Sequence, residues 1–427
     1  MQCTIDIFRD NGWQACCTVA LGDPVAGKDS PAVITFHPDL LSAGSQTPSL
    51  RLRAQSTPLE LSHWPSFLVD LIPQGDGRAY LHDVLELPEG QASDWRMLVI
   101  GAINPVGKIR VREAATAYYE RMQQLEPEWS EQGFTTEEVL SRSEAFSTHF
   151  DAHGIFSAGA TSVQGLAPKL LLTQGKDGLW YADATLPDNK AARHYILKFS
   201  RARNMADWTI LKHEVVYMRL AKEMGLFVAE LPEWKNDMLF VPRFDRQVVA
   251  DRVIRHHQES LLSLSGLIDP HTATTHNRML EALRQYTSNP YEATLEYIRR
   301  DIMNLALGNT DNSPYNMAVQ IINGKTGLTP LYDFAPMYLD MDDLSRTLEW
   351  VDESGNELTN WADILHVLPL TTTEKAALRE ALHAFGKRME GLEALMVLCG
   401  VSDDIMTDRY YGIQNQCWQL RELQAGG

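Results

Sequence analysis

The chain has 427 residues, 44% of them hydrophobic, enough for two or three domains with substantial cores. Its formal net charge is −18, from 38 Lys and Arg against 56 Asp and Glu. That balance argues against a broad nucleic-acid footprint, which needs clustered cations, although a local basic patch stays open.

Five cysteines, Cys3, Cys16, Cys17, Cys399 and Cys417, form no C-x-x-C pair, so a reducing compartment is expected. The opening MQCTIDIFRDNGW lacks the apolar core of a signal peptide. No apolar run approaches the ~18 to 20 residues of a membrane span. A soluble, cytoplasmic protein with no membrane partner is expected.

In chain order, residues 1–115 predict a β-rich segment, with strands at Thr4–Phe8 and Ala32–Phe36 between Gly, Pro and Asp turns. Nothing in it reads as a helix-turn-helix. Residues 116–247 open on an acidic stretch with a helix around Thr136–Phe150. A small-residue loop, Ser157–Gly165, leads to strands at Leu170–Leu172, Leu179–Tyr181 and His194–Phe199. An amphipathic helix over Trp208–Met224 stops at Gly225, and a further strand, Met238–Val241, runs into Pro242-Arg-Phe-Asp-Arg246. Residues 248–427 are mainly helical, with Ile298, Ile302 and Leu305 on one helix face. Met317–Ile322 and Leu328–Tyr332 form a hairpin across Asn323–Gly327. From about residue 360 the chain is helical again, through Glu374 to Cys399 and on to Gln424. Strands first and helices later give an α+β fold, two-lobed, with a cleft between the lobes.

The chemistry is concentrated in Gly308-Asn-Thr-Asp311-Asn-Ser-Pro-Tyr-Asn316 and, after the hairpin, Tyr332-Asp333-Phe334. Phosphoryl transfer needs a carboxylate to orient the attacking hydroxyl and oxygen ligands for Mg²⁺. Asp, four residues, then Asn is the spacing of a kinase catalytic loop, and a second Asp follows the next strand. Asp-Asn-Ser-Pro is also a good turn on its own. Lys198, late in its strand, is a candidate phosphate cation, with Glu214 on the next helix as its positioning acid; a surface ion pair reads equally well from sequence. Thr161-Ser162-Val163-Gln-Gly-Leu-Ala-Pro-Lys169 can cover phosphates through backbone N–H groups, or simply join two strands. Met238 to Phe244, with Val241, Arg243 and Phe244, would supply an adenine hinge, and reads equally well from sequence as a buried strand ending in a charged turn. The His256-His257 and His271/His276 pairs lack the spacing of a metal site.

These motifs, in this order over about residues 155–340, resemble the HipA-type serine/threonine kinases. Similarity extends more weakly to Phe67–Pro73 and to Ile100-Gly101 through Val106-Gly107. The resemblance implies a protein-kinase-like, HipA-like fold, with residues 1–115 as an accessory subdomain. It implies an ATP- and Mg²⁺-dependent protein kinase that acts as the toxin of a toxin–antitoxin system. Its expected substrate is a translation component, commonly an aminoacyl-tRNA synthetase. Asp311 is then catalytic and Asn316 and Asp333 are metal ligands. Lys198, Lys169, Ser162, Val163, Glu214, Val241, Arg243 and Phe244 bind ATP. Ser162, or Thr161 beside it, is the autophosphorylated residue. The partner is a HipB-type helix-turn-helix antitoxin, with DNA contacted only through it. Two positions depart from the family: Ala167 stands where Gln is common and Ser313 where His is common. They bear on loop geometry and substrate identity. A catalytically weak ATP-binding relative and a small-molecule phosphotransferase are the alternative readings.

Overall fold

The structure is a computed structural model of the whole chain. It describes residues 1–41, 46–72, 78, 82, 86–87, 92–124, 132–149, 169–183, 185–200, 204–269, 272–341 and 345–423. The expected phosphate-covering residues Thr161, Ser162, Val163 and Ala167 lie outside these, as do the predicted ends of two helices, Phe150 and Gln424. The chain divides into two compact units. One comprises Met1–Arg201, Glu233–Asp269 and Gln320–Ile322, the other Ala202–Pro232, Pro270–Val319 and Asn323–Gly427.

The first unit holds two five-stranded sheets. One has the order β4(Leu59–Leu61)-β3(Ala32–Phe36)-β2(Gly12–Leu21)-β1(Gln2–Arg9)-β5(Ile109–Val111). β1 and β2 form a hairpin closed by Asp10 and Asn11, both with positive φ (52° and 61°), the backbone a two-residue hairpin turn requires. The predicted Thr4–Phe8 lies within β1 and the predicted Ala32–Phe36 is β3. β2 escaped prediction because its Trp-Gln-Ala-Cys-Cys-Thr run has no clear alternation. The inner face buries Cys3, Ile5, Ile7, Cys17, Val19 and Ile34 against Trp64, Phe67, Trp95 and Leu98.

The second sheet runs β7(Trp180–Ala182)-β6(Lys169–Gly175)-β8(Ala191–Phe199)-β10(Met238–Pro242)-β9(Glu233–Lys235). Alternate residues of a strand face opposite ways, and the two faces of this sheet differ. Leu172, Tyr195, Leu197, Met238 and Phe240 enter a core with Phe134 and Phe146. The other face carries Lys169, Leu171, Ile196, Lys198, Leu239 and Val241, set by the pairs Lys169↔Lys198, Leu171↔Ile196, Leu239↔Lys198 and Val241↔Ile196. A two-stranded ribbon, β11(Arg246–Val249) and β12(Arg252–Arg255), follows, then β13(His257–Ser260). The helix predicted over 136–150 breaks at Arg142, whose backbone is left-handed (φ 50°).

In the second unit, helix Met205–Glu223 starts at Asn204, whose side chain caps Asp207 N–H. Helix Pro290–Leu307 has Asn289 as N-cap, Pro at its first turn and Gly308 (φ 71°) as C-cap. A small sheet joins β14(Thr274–Thr275), β17(Leu348–Val351) and β18(Glu357–Leu358). Between them in sequence come β15(Ala318–Ile322) and β16(Lys325–Leu328). The sequence placed the second hairpin strand at Leu328–Tyr332; the structure turns at Asn323 and Gly324, both with positive φ, and starts β16 three residues earlier. A two-residue Asn-Gly turn needs no longer loop. The C-terminal helices are Trp361–Val367, Thr372–Met389, Leu392–Cys399 and Asp403–Glu422, so the single late helical stretch is four elements, with Gly400 (φ 85°) closing the third. No described helix is long and apolar enough to cross a membrane.

Candidate functional site

In the second unit, helix Pro290–Leu307 delivers the chain directly into the Asp311 loop. The Tyr217 hydroxyl donates to Leu307 O at 2.9 Å, fixing the end of that helix. Within the loop, Asn312 N–H donates to Thr310 O and Asn316 N–H to Ser313 O, both at 2.9 Å, a compact double turn of the kind Asp-Asn-Ser-Pro favours. Asp311 is half-buried and Asn316 buried. The Asn316 Nδ2 donates to Asp311 O at 3.2 Å, which fixes the amide's orientation. Its Oδ1 is buried with no hydrogen-bond partner among the described residues, and the same holds for Asn309 Oδ1 and Thr310 Oγ1. Buried oxygens are seldom left so. The loop therefore concentrates electron-rich atoms that nothing described satisfies.

Asp333 lies five residues past β16 with φ 50°, a left-handed backbone uncommon for a residue with a side chain. Its flanks are fixed: the Tyr332 hydroxyl donates to Tyr315 O at 2.7 Å, and Phe334 packs against Tyr217 with ring centroids 5.4 Å apart. Glu214 is buried on helix Met205–Glu223. Among the described residues no group of three or more His, Cys, Asp and Glu could hold a metal; a set of one Asn and one Asp with phosphate oxygens is a different kind of site.

In the first unit, Lys169 and Lys198 are direct cross-strand partners on one sheet face. Lys198 is buried and Lys169 half-buried. Two cations directly opposite each other repel unless anionic groups lie beside them. On the same face Leu171, Ile196 and Val241 form a small apolar cluster separate from the main core. Cation pair and apolar patch thus share one surface.

Arg243, expected among the ATP-binding residues, has its side chain committed elsewhere. Its guanidinium donates to Asp183 Oδ2 (3.0 Å), Asp245 Oδ1 (3.0 Å) and Asp245 Oδ2 (2.8 Å), at zero side-chain exposure. Its N–H is given to His194 O. Arg246 donates to Asp245 Oδ2, Gly107 O and Pro105 O, and Gly107 N–H to Asp245 Oδ2. Asn104, Thr173 and His194 complete the set around Asp183. Burial alone would raise both carboxyls; Arg243, with His194 or Arg246, outweighs it and holds Asp183 and Asp245 well below their usual range. The Pro242-Arg-Phe-Asp-Arg246 motif is therefore a buried staple between the second sheet and the Asn104–Gly107 turn. The clue in sequence was an Arg-x-Asp-Arg run, too hydrophilic to sit inside unless paired. Phe244, between its two ends, is half-buried.

Comparison with known proteins gives a family model, the HipA-like C-terminal domain, matching residues 161–391, more than half of the chain. The fold is similar to that of HipA from Shewanella oneidensis, solved with HipB and operator DNA, at TM-score 0.65, 18% identity and full coverage of both chains. A proinflammatory kinase, CtkA of Helicobacter pylori, matches with TM-score 0.38 and 16% identity over 54% of this chain and 89% of that one. No curated protein sequence matches. With a family model over more than half its length and an α+β HipA-like fold throughout, the chain belongs to the HipA-like family.

Proposed function

We propose that this protein is a Mg-ATP-dependent serine/threonine protein kinase acting as a HipA-type toxin. The observation that carries the reading is Asn316, whose amide nitrogen is tied to Asp311 O while its buried oxygen has no described partner. A carboxamide held this way suits a hard cation, and Asp333 supplies a carboxylate of the same chemistry. Bound there, Mg²⁺ would neutralise charge on the phosphates. Asp311 orients the attacking Ser or Thr hydroxyl and accepts its proton at the carboxylate. Lys198 and Lys169 bind phosphate oxygens, and Leu171, Ile196 and Val241 give an apolar wall for the base.

The toxin role, a HipB-like antitoxin partner, and an aminoacyl-tRNA synthetase or other translation component as substrate follow from family membership and belong to this proposal. So does autophosphorylation at Ser162 or Thr161. A phosphate there adds about −1.5 to −2 charge beside a nucleotide, which opposes ATP binding.

Incubating the protein with Mg-ATP, alone and with a cell lysate, and mapping phosphosites by mass spectrometry tests the reading. Asp311→Ala is expected to lower transfer by at least ~10²-fold while leaving nucleotide binding, and Asp333→Ala to weaken Mg-ATP binding as well. An Asp311→Ala protein that autophosphorylates at the wild-type rate would overturn the assignment. ATP binding with no phosphoprotein under any condition would favour a binding role instead.

A further inference from the structure

Asn312, next to the proposed base, is 1% exposed and faces away from solvent. Its Oδ1 accepts from Thr347 N–H (2.8 Å), Leu348 N–H (3.2 Å) and Thr347 Oγ1 (3.3 Å). Its Nδ2 donates to Leu348 O at 2.9 Å and meets His276 Nε2 at 3.3 Å. Arg346 Nη2 also meets His276 Nε2, at 3.1 Å, and donates to Asp301 Oδ1 at 2.6 Å. Two donors aimed at Nε2 assign the ring proton to Nδ1, which lies 2.7 Å from the Tyr297 hydroxyl. Trp350 donates to Asp301 Oδ2 at 2.9 Å and stacks on the His276 ring, centroids 4.8 Å apart. His276, Asp301 and Tyr297 are fully buried.

We propose that Asn312 is a positioning residue, clamped by β17 and the His276–Asp301–Arg346 cluster so that the Asp311–Asn316 loop is held in one geometry. This rests on the kinase reading for its consequence, since what the clamp positions is the proposed base and one metal ligand. The loop's own bonds, Asn312 N–H to Thr310 O, Asn316 N–H to Ser313 O, Asn316 Nδ2 to Asp311 O and Tyr315 N–H to Ser313 Oγ, curl it on itself, and none of these ties it to β17. Asn312 adds bonds to a strand that is itself anchored, through Trp350 and Asn277, to helices. Its two acceptor contacts from successive N–H groups and its return bond to Leu348 O make the amide a substitute strand partner for β17. Ala, Leu or Ser cannot make all of these.

The test compares wild type with Asn312→Ala and, as a milder second variant, Arg346→Lys, which keeps a cation near Asp301 but loses the planar bridge to His276. Two readouts are taken on the full chain: amide hydrogen exchange of residues 309–316, with Thr372–Met389 as internal control, and the kinetics of ATP-dependent phosphorylation. The clamp predicts at least ten-fold faster exchange of 309–316 in Asn312→Ala, with the control helix unchanged. It predicts kcat down by ten-fold or more, with a smaller rise in KM for Mg-ATP from the displaced Asn316. Arg346→Lys should fall between. Faster loop exchange in a protein whose wild type transfers no phosphate would leave the clamp standing and sink the kinase reading. Unchanged exchange in both variants overturns the clamp whatever the activity, and so does faster exchange that spreads equally to the control helix.

Discussion

A buried carboxyl reports its surroundings through its proton, and Asp70 does so in the first unit. Burial pushes its pKa up to about 7, against the hydrogen bonds it accepts from Ser260 N–H (2.8 Å) and Ser260 Oγ. Nearby Glu259 adds to the rise. The folded protein thus holds a proton that the unfolded chain, with its carboxyl near 3.8, releases. Stability carried by this group is full below about pH 4 and is lost as pH rises towards about 7, by roughly 4 kcal/mol at ~1.4 kcal/mol per unit. Asp70→Asn, a stand-in for the protonated acid, is expected to flatten that part of the stability–pH curve in urea melts. The same slope in both proteins would refute the placement. Arg243 gives a second residue-scale prediction. Arg243→Leu strands Asp183 and Asp245 in the interior and is expected to cost about 3–5 kcal/mol, read as a fall in the urea midpoint. A variant that lost nucleotide affinity without losing stability would return Arg243 to the binding surface.

At the scale of elements, the junction of helix Pro290–Leu307 with the Asp311 loop turns on Gly308. Its φ of 71° suits a residue without a side chain. An added Cβ would lie 2.7 Å from Arg409 Nη1 and 2.7 Å from Tyr338 Cδ1, and the Gly308 carbonyl accepts Tyr338 N–H at 3.0 Å. Gly308→Ala combines left-handed strain with a clash and is expected to cost about 1–3 kcal/mol, measurable by thermal melting. A melt superimposable on wild type would count against this end geometry. The helix stop at Gly308 and the turn from Asp311 to Asn316 were legible in the sequence because turn chemistry is a local property. Asn312 was not. Its partners Thr347, Leu348 and His276 are 35 or more residues away, and an Asn in a turn sequence gives no sign of which distant strand will use it. The Arg243 staple was hidden for the same reason: the motif was visible, but its partners at Asn104–Gly107 and Asp183 come from elsewhere in the fold. The helix break at Arg142 was unreadable too, since nothing in Ser-Arg-Ser marks a left-handed residue.

Considered whole, the first unit is stitched across long sequence distances. Residues before 115 supply Gly107 N–H to Asp245, and Pro105 O and Gly107 O to Arg246. They supply the Ser49 hydroxyl and Leu50 N–H as donors to Glu259, and the Asp70 carboxyl as acceptor from Ser260 N–H. Removing residues 1–115 would leave Asp245, Arg246 and Glu259 with unmet polar groups, at about 1–3 kcal/mol each. A protein starting at 116 is therefore expected to be aggregated or partly unfolded, while the full chain is not, as size-exclusion chromatography and circular dichroism would reveal. A monodisperse, cooperatively melting fragment would mean that the N-terminal strands are an independent module.

The five cysteines lead to one practical consequence. All are free and buried, and burial pushes the thiols of Cys3, Cys399 and Cys417 upward, as do the Cys16 hydrogen bond and then burial for Cys17. Thiolate, the form that reacts, is scarce at these positions. The native protein should thus be nearly silent to maleimides, so one cysteine engineered at an exposed position would accept a fluorophore or spin label without prior removal of the natural five. Pairs of such labels, one in each compact unit, could then follow distances in solution as nucleotide is added.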